Sequence, residues 1–161
     1  MLILNSGGTL NKRYNQINGN LEIPYDNEVI ETILKSIDTD YNLAGVVYKD
    51  SLDMDLDDRK MLANIIMEST DDTFIIIHGT DTMDVTAEFL SEIFNDRKII
   101  LVGSMNPFEI DKVEASLNIG MAIGFSKAQV DNGIYICMSG YLEVWDKVVK
   151  NKAIGKFELV G

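Results

Sequence analysis

What this sequence lacks narrows its chemistry first. Cys137 is its only cysteine, so no internal disulfide can form, and nothing points to an oxidising compartment. The thiol sits in the apolar run "GIYICMS", where a packed side chain is expected rather than a reactive one. His78 is the only histidine, and with no second His or Cys beside it no metal cluster is expected. Positive charge is scarce: 14 Lys and Arg against 26 Asp and Glu leave a net charge of -12. That argues against nucleic acid or an anionic membrane as partner, because both are bound through Lys and Arg. Long hydrophobic runs are missing too. "FIII" and "IILVG" fall far short of a membrane span, and Met1 leads into "LILNS" with no basic segment or apolar stretch of a signal peptide. The expectation is a cytoplasmic protein.

What remains is a chain of 161 residues, 46% hydrophobic and 25% charged, which suits one globular domain over 1–161 with no second domain. A domain of this size hides roughly two-thirds of its unfolded surface. Continuous apolar runs at residues 2–4, 44–48, 74–77, 99–102 and 134–138 read as strands buried on both faces, since they lack in–out alternation. Between them lie helical faces: Val29, Ile30, Ile33, Leu34 and Ile37; Met61, Leu62, Ile65 and Ile66; Val85, Phe89, Leu90 and Ile93; and "VEASLNIGMAIGF". Right-handed crossovers then predict a doubly wound, flavodoxin- or Rossmann-like α/β sandwich with a five-stranded, mainly parallel sheet. Past Gly140 the pattern degrades into a loop with a short terminal strand or arm.

Turn-rich polar segments fall at the carboxyl ends of the strands: "SGGTL", "KDSLDM", "HGTDTM", "GSMNPF" and "SGYL". Ligands of open α/β sheets bind outside those ends, at a topological switch point. With strand order 2-1-3-4-5, the segments holding Thr9, Ser51 and Thr80–Asp81 share one crevice. "SGGTLNKR" lacks the Lys-Ser/Thr of a phosphate loop and the third glycine of a dinucleotide fingerprint. It is either a tight glycine turn or a turn presenting Thr9 for chemistry. "HGTDTMDVTAEFL" places two hydroxyls and a carboxylate around one glycine, with Thr82 or Asp84 able to cap the helix that follows. His78 reads either as a base or as a hydrogen-bonded structural imidazole. Asp53, Asp55 and Asp57 lack the turn glycine and closing glutamate of a calcium loop, so they read as charge at a helix start, while Asp50 and Ser51 remain ligand contacts. A nucleophilic threonine needs a proton acceptor. Tyr14 lies five residues after Thr9, and Lys147, Lys150 and Lys152 follow the fifth strand, with Lys150 the one expected to reach the crevice.

In this order and spacing, "SGGTL", "DSLDM", "HGTDTM" and "VGSMNP" resemble the bacterial-type L-asparaginases, the asparaginase/glutaminase amidohydrolases. The resemblance covers nearly the whole chain and implies hydrolysis of L-asparagine to L-aspartate and ammonia through an acyl-enzyme, without a cofactor. It implies Thr9 as nucleophile, Tyr14 as its loop tyrosine, and Thr80 as second threonine with Asp81 and Lys150 as partners. Ser51 matches a residue that holds the substrate α-carboxylate, and Asp81 one that holds its α-amino group. Gly8, Asp50, Gly79 and Thr80 complete the implied substrate contacts. Leu52 departs from the pattern, standing where many members carry a glutamine. The family's second, C-terminal domain, which lends an acidic residue to a neighbouring protomer, has no counterpart within 1–161, so the chain resembles a short single-domain variant. A homodimer or higher homo-oligomer is expected. The alternatives are a broader asparagine/glutamine amidohydrolase and a non-catalytic amino-acid-binding module.

Overall fold

In the computed structural model, which describes residues 1–160, β1 (Leu2–Gly7) leads into a 3-10 turn at Thr9–Asn11. A hairpin of β2 (Arg13–Asn15) and β3 (Asn20–Glu22) follows, then α1 (Glu28–Leu34). β4 (Asn42–Lys49), a 3-10 turn at Ser51–Asp53 and α2 (Leu56–Glu68) come next, followed by β5 (Thr73–Ile77), α3 (Met83–Ser91), β6 (Lys98–Val102) and α4 (Lys112–Ser126). The chain continues through β7 (Gly133–Met138), β8 (Tyr141–Val144), a 3-10 turn at Trp145–Lys147, β9 (Val148–Asn151) and β10 (Lys156–Leu159).

The main sheet runs β4-β1-β5-β6-β7-β8, so its parallel part has the expected 2-1-3-4-5 order. The expected count of five strands becomes six, because β8 adds an antiparallel edge. Ser139 and Gly140 form the connection, with φ of 55° and 88°, and Met138 pairs with Tyr141 across it. Two successive positive φ values make the two-residue primed turn that matches strand twist.

Alternation along the strands divides the core into two layers. Leu4, Phe74, Ile76, Ile99 and Leu101 face α2 and α3; Ile3, Ile75, Ile77, Ile100 and Val102 face α1 and α4. Ile75, Ile76 and Ile77 are fully buried, and each contributes on the order of 1.5–3 kcal/mol by leaving water. β4 departs from the expected double burial: it is the sheet edge, and Val47 alone among its residues is buried. Cys137 is packed as expected, and burial pushes its thiol up to about 12. The Asp-rich segment also behaves as helix-start charge. Asp55 accepts from the amides of Asp57 and Asp58, and Asp58 returns a bond to the Asp55 amide.

Candidate active site

The three neighbouring strands β4, β1 and β5 end in turns that touch through glycines. Gly8 has φ of 79°, a conformation glycine adopts without a Cβ penalty. A Cβ there would lie 2.4 Å from the Gly79 amide nitrogen, and one on Gly79 would lie 2.6 Å from Ser51 Oγ. The Gly8, Gly79 and Ser51 turns are therefore stacked at van der Waals limit, and Thr9 and Thr80 leave from adjacent glycines. Hydrogen bonds secure the stack. The Gly8 amide donates to Lys49 O (2.9 Å), the Asp81 amide to Ser51 Oγ (3.2 Å), and the Thr82 hydroxyl to Ser51 O (2.8 Å). This is the crevice expected at the switch point.

Lys150 completes it from the far edge of the sheet. β8 turns the chain back, β9 returns, and buried Val148 fixes β9 to the α2–α3 layer. Lys150 Nζ then lies 2.8 Å from Thr80 Oγ1 and 2.8 Å from Asp81 Oδ1. Its side chain is 14% exposed and that of Asp81 33%, whereas Lys147 and Lys152 are exposed. Of the three lysines, the structure brings Lys150 to the threonine and aspartate. Thr80 is buried, Thr9 is half-buried, and among the described residues the Thr9 hydroxyl has no hydrogen-bond partner.

Asp50 caps the Ser51 turn by accepting from the Leu52 amide (3.2 Å), and its other oxygen lies 2.6 Å from Lys12 Nζ. Burial works to raise its pKa, but hydrogen bonds from Lys12 and the Leu52 amide, with the charges of Lys12 and Lys150, hold it below the usual carboxylate range. The crevice thus carries Lys12, Asp50, Lys150 and Asp81, two charges of each sign, which suits a zwitterion. A cavity of about 380 Å³ lined by Lys12, Glu22, Tyr48 and Asp50 borders it. Among the described residues no cluster of three or more His, Cys, Asp or Glu is placed to hold a metal.

His78 is structural. It is fully buried, and its Nδ1 lies 2.7 Å from Gly79 O, a carbonyl that can only accept, so Nδ1 carries the proton. Nε2 then accepts from the Thr86 hydroxyl at 2.8 Å. Desolvation depresses its pKa to about 4, which keeps the ring neutral. Thr82 begins α3 yet makes no side-chain cap, contrary to expectation; its hydroxyl is spent on Ser51 O.

Tyr14 stands apart from these groups. It is 55% exposed on β2, its backbone amide donates to Glu109, and its hydroxyl points toward Gly19 at the hairpin turn. Three residues were missed by sequence reasoning. Asn5 and Asn11 form a buried amide pair beneath the Thr9 turn, and Arg59 is buried between α2 and α3, donating to Thr82, Thr86 and the carbonyls of Met54 and Asp55. An asparagine inside the apolar run "LILNS" and an arginine amid "DLDDRKML" were the available signals.

Comparison with known proteins follows the same lines. The family model described as Asparaginase, N-terminal, matches residues 1–155. The chain is 25% identical over 122 residues to a glutaminase-asparaginase of Acinetobacter glutaminasificans, covering 68% of this chain and 37% of that protein. It is 30% identical over 121 residues to a probable periplasmic L-asparaginase of Haemophilus influenzae, covering 68% of this chain and 34% of that protein. The L-asparaginase of Thermococcus kodakarensis shares the fold, with a TM-score of 0.84 at 22% identity, covering 99% of this chain and 50% of that one. The chain spans about a third of those curated relatives and half of that solved chain. Matched by its model over all but the last few residues, the chain belongs to the asparaginase N-terminal family.

Proposed function

We propose that the protein is an L-asparagine amidohydrolase. The carrying observation is the contact of Lys150 Nζ with Thr80 Oγ1 and Asp81 Oδ1, joining residues 70 apart in sequence at the switch-point crevice. Ser51 holds the substrate α-carboxylate and Asp81 its α-ammonium, with Asp50 supplementing the negative charge there. The Thr9 hydroxyl oxygen attacks the side-chain amide carbon, and backbone N–H groups of the glycine turns stabilise the oxyanion. The C–N bond then breaks as the leaving nitrogen takes up the proton given off by the Thr9 hydroxyl, and ammonia departs to leave an ester on Thr9. Water attacks that ester. Lys150 relays the water's proton through the Thr80 hydroxyl to the Thr9 oxygen as the ester C–O bond breaks, and aspartate is released. Tyr14 assists Thr9 only if the hairpin swings its exposed hydroxyl over the crevice, and Tyr14→Phe tests that step.

Glutamine is the second substrate to assay, because the Acinetobacter relative is a glutaminase-asparaginase. The buried Cys137 thiol, free of any disulfide, fits a cytoplasmic setting, and no described helix is long and apolar enough to cross a membrane. A homodimer covering the open crevice is part of the proposal, burying on the order of 800 Å² per partner. Light scattering showing a fully active monomer removes that part. Ammonia release from asparagine by the wild type, lost in Thr9→Ala with L-aspartate binding retained, is the expected result. Binding without turnover in the wild type would leave an amino-acid-binding module in its place.

A further inference from the structure

We propose that Asn5 and Asn11 are positioning residues for Thr9, forming an amide clamp that holds the nucleophile turn against the base of the β2–β3 hairpin. The inference rests on the reading of Thr9 as nucleophile. Asn5 is 0% exposed and Asn11 1% exposed. Burying two amides is costly unless each is satisfied. Here they satisfy one another: Asn11 Nδ2 donates to Asn5 Oδ1 (3.0 Å), and Asn5 Nδ2 donates to Asn11 Oδ1 (3.2 Å).

The remaining bonds go to the backbone that sets Thr9. Asn5 Oδ1 accepts from the Gly7 amide (3.0 Å), and Asn11 Nδ2 donates to Gly7 O (2.6 Å). Both polar groups of Gly7, which has φ of 108°, are thus gripped by the pair. The 3-10 turn closes over it, with the Asn11 amide donating to Gly8 O (3.1 Å). Thr9 lies within this ring of bonds, two residues from Gly7 and two from Asn11, so its backbone cannot rotate without breaking the pair.

The clamp also has an outer anchor. Asn5 Nδ2 reaches Asp26 O (3.2 Å) and Asn27 Oδ1 (3.0 Å). Asn27 sits at the N-cap of α1, where its side chain ordinarily accepts a helix amide, yet it makes no such bond. Its oxygen is diverted to Asn5 and to the Tyr48 hydroxyl (3.4 Å). Tyr48 holds φ of 55°, a strained conformation for a bulky residue, and its hydroxyl occupies the space a Cβ on Gly45 would need. A forgone cap and a strained tyrosine on separate elements meet at Asn27, the outer anchor of the pair. Packing alone asks for neither.

The test is Asn11→Ala in the full chain, assayed for ammonia release and for L-aspartate binding by calorimetry. Loss of near-attack geometry of this kind costs about 10²-fold in rate. The expected result is a kcat fall of that order per folded molecule, with aspartate affinity retained. If Asn11→Ala does not fold, Asn27→Ala leaves the pair intact and removes its outer anchor; a smaller fall in kcat at unchanged affinity is then expected. Wild-type kcat per folded molecule in the folded variant, or parallel loss of kcat and affinity, overturns the proposal. An inactive Thr9→Ala beside a fully active Asn11→Ala rejects the clamp alone, whereas an active Thr9→Ala rejects the nucleophile and the clamp with it.

Discussion

Replacing Lys150 by methionine isolates one contact. The stem is retained, while the two 2.8 Å bonds to Thr80 and Asp81 disappear. Two effects compete. Asp81 loses its counter-ion, but its side chain is one-third exposed and water re-solvates it, so the cost in stability is about 1 kcal/mol or less. The protein should stay folded. The proposed mechanism loses a positioned acid–base group, worth about 10²–10⁴-fold. At about 1.4 kcal/mol per decade, that is roughly 3–5 kcal/mol of barrier. The rate effect therefore exceeds the structural one, and activity should fall far more than the unfolding midpoint. Initial rates of ammonia release set against a thermal melt measure both. Lys147→Met and Lys152→Met, at exposed positions, should be nearly silent. A Lys150→Met enzyme keeping half of wild-type kcat, or a dead Lys147→Met enzyme, refutes the assignment.

Asp81→Asn should raise KM for asparagine more than it lowers the melting temperature, because it removes the anion proposed to pair with the substrate ammonium; substrate titration checks this. Gly8→Ala should abolish activity and cost about 1–3 kcal/mol of stability, since it forces a positive φ and sets a Cβ 2.4 Å from the Gly79 nitrogen; urea unfolding reads the cost. His78 gives a signed pH dependence. The unfolded ring protonates near 6.5 and the folded one at about 4. Stability is therefore complete above pH 6.5 and is lost as pH falls toward 4, by on the order of 3 kcal/mol in all. Asp50, whose pKa is lowered, adds a further loss only below its ordinary 3.8. Urea midpoints between pH 7.5 and 4.5 should fall in the wild type and flatten in His78→Gln.

The parallel part of the fold was legible because its strands are buried and continuous, and because their polar ends carry the turns. β8 was not, since "YLEV" offers only Leu142 half-buried and alternates toward solvent. Its clue was Ser139–Gly140, a dipeptide suited to a two-residue hairpin. The three-residue strands β2 and β3 are polar and partly exposed, too short for any period to show. At the site, Thr9, Ser51, Thr80, Asp81 and Lys150 stood in recognisable segments. Asn5 and Asn11 did not: their partners are one another and a glycine backbone, a relation that exists only once the turn closes.

The route by which Lys150 arrives gives assembly an order. Gly8 meets Gly79 when β1 pairs with β5, as part of forming the sheet, but Lys150 meets Thr80 only after β8 reverses and β9 docks. Closing that 70-residue separation carries its own entropic cost. A folding molecule can therefore possess its core and still lack the contact of Lys150 with Thr80 and Asp81. The single tryptophan, Trp145, lies in the turn between β8 and β9, packed on the α2–α3 layer. Its fluorescence reports the docking of that arm, so the chain carries an optical gauge of the moment its crevice closes around Thr80.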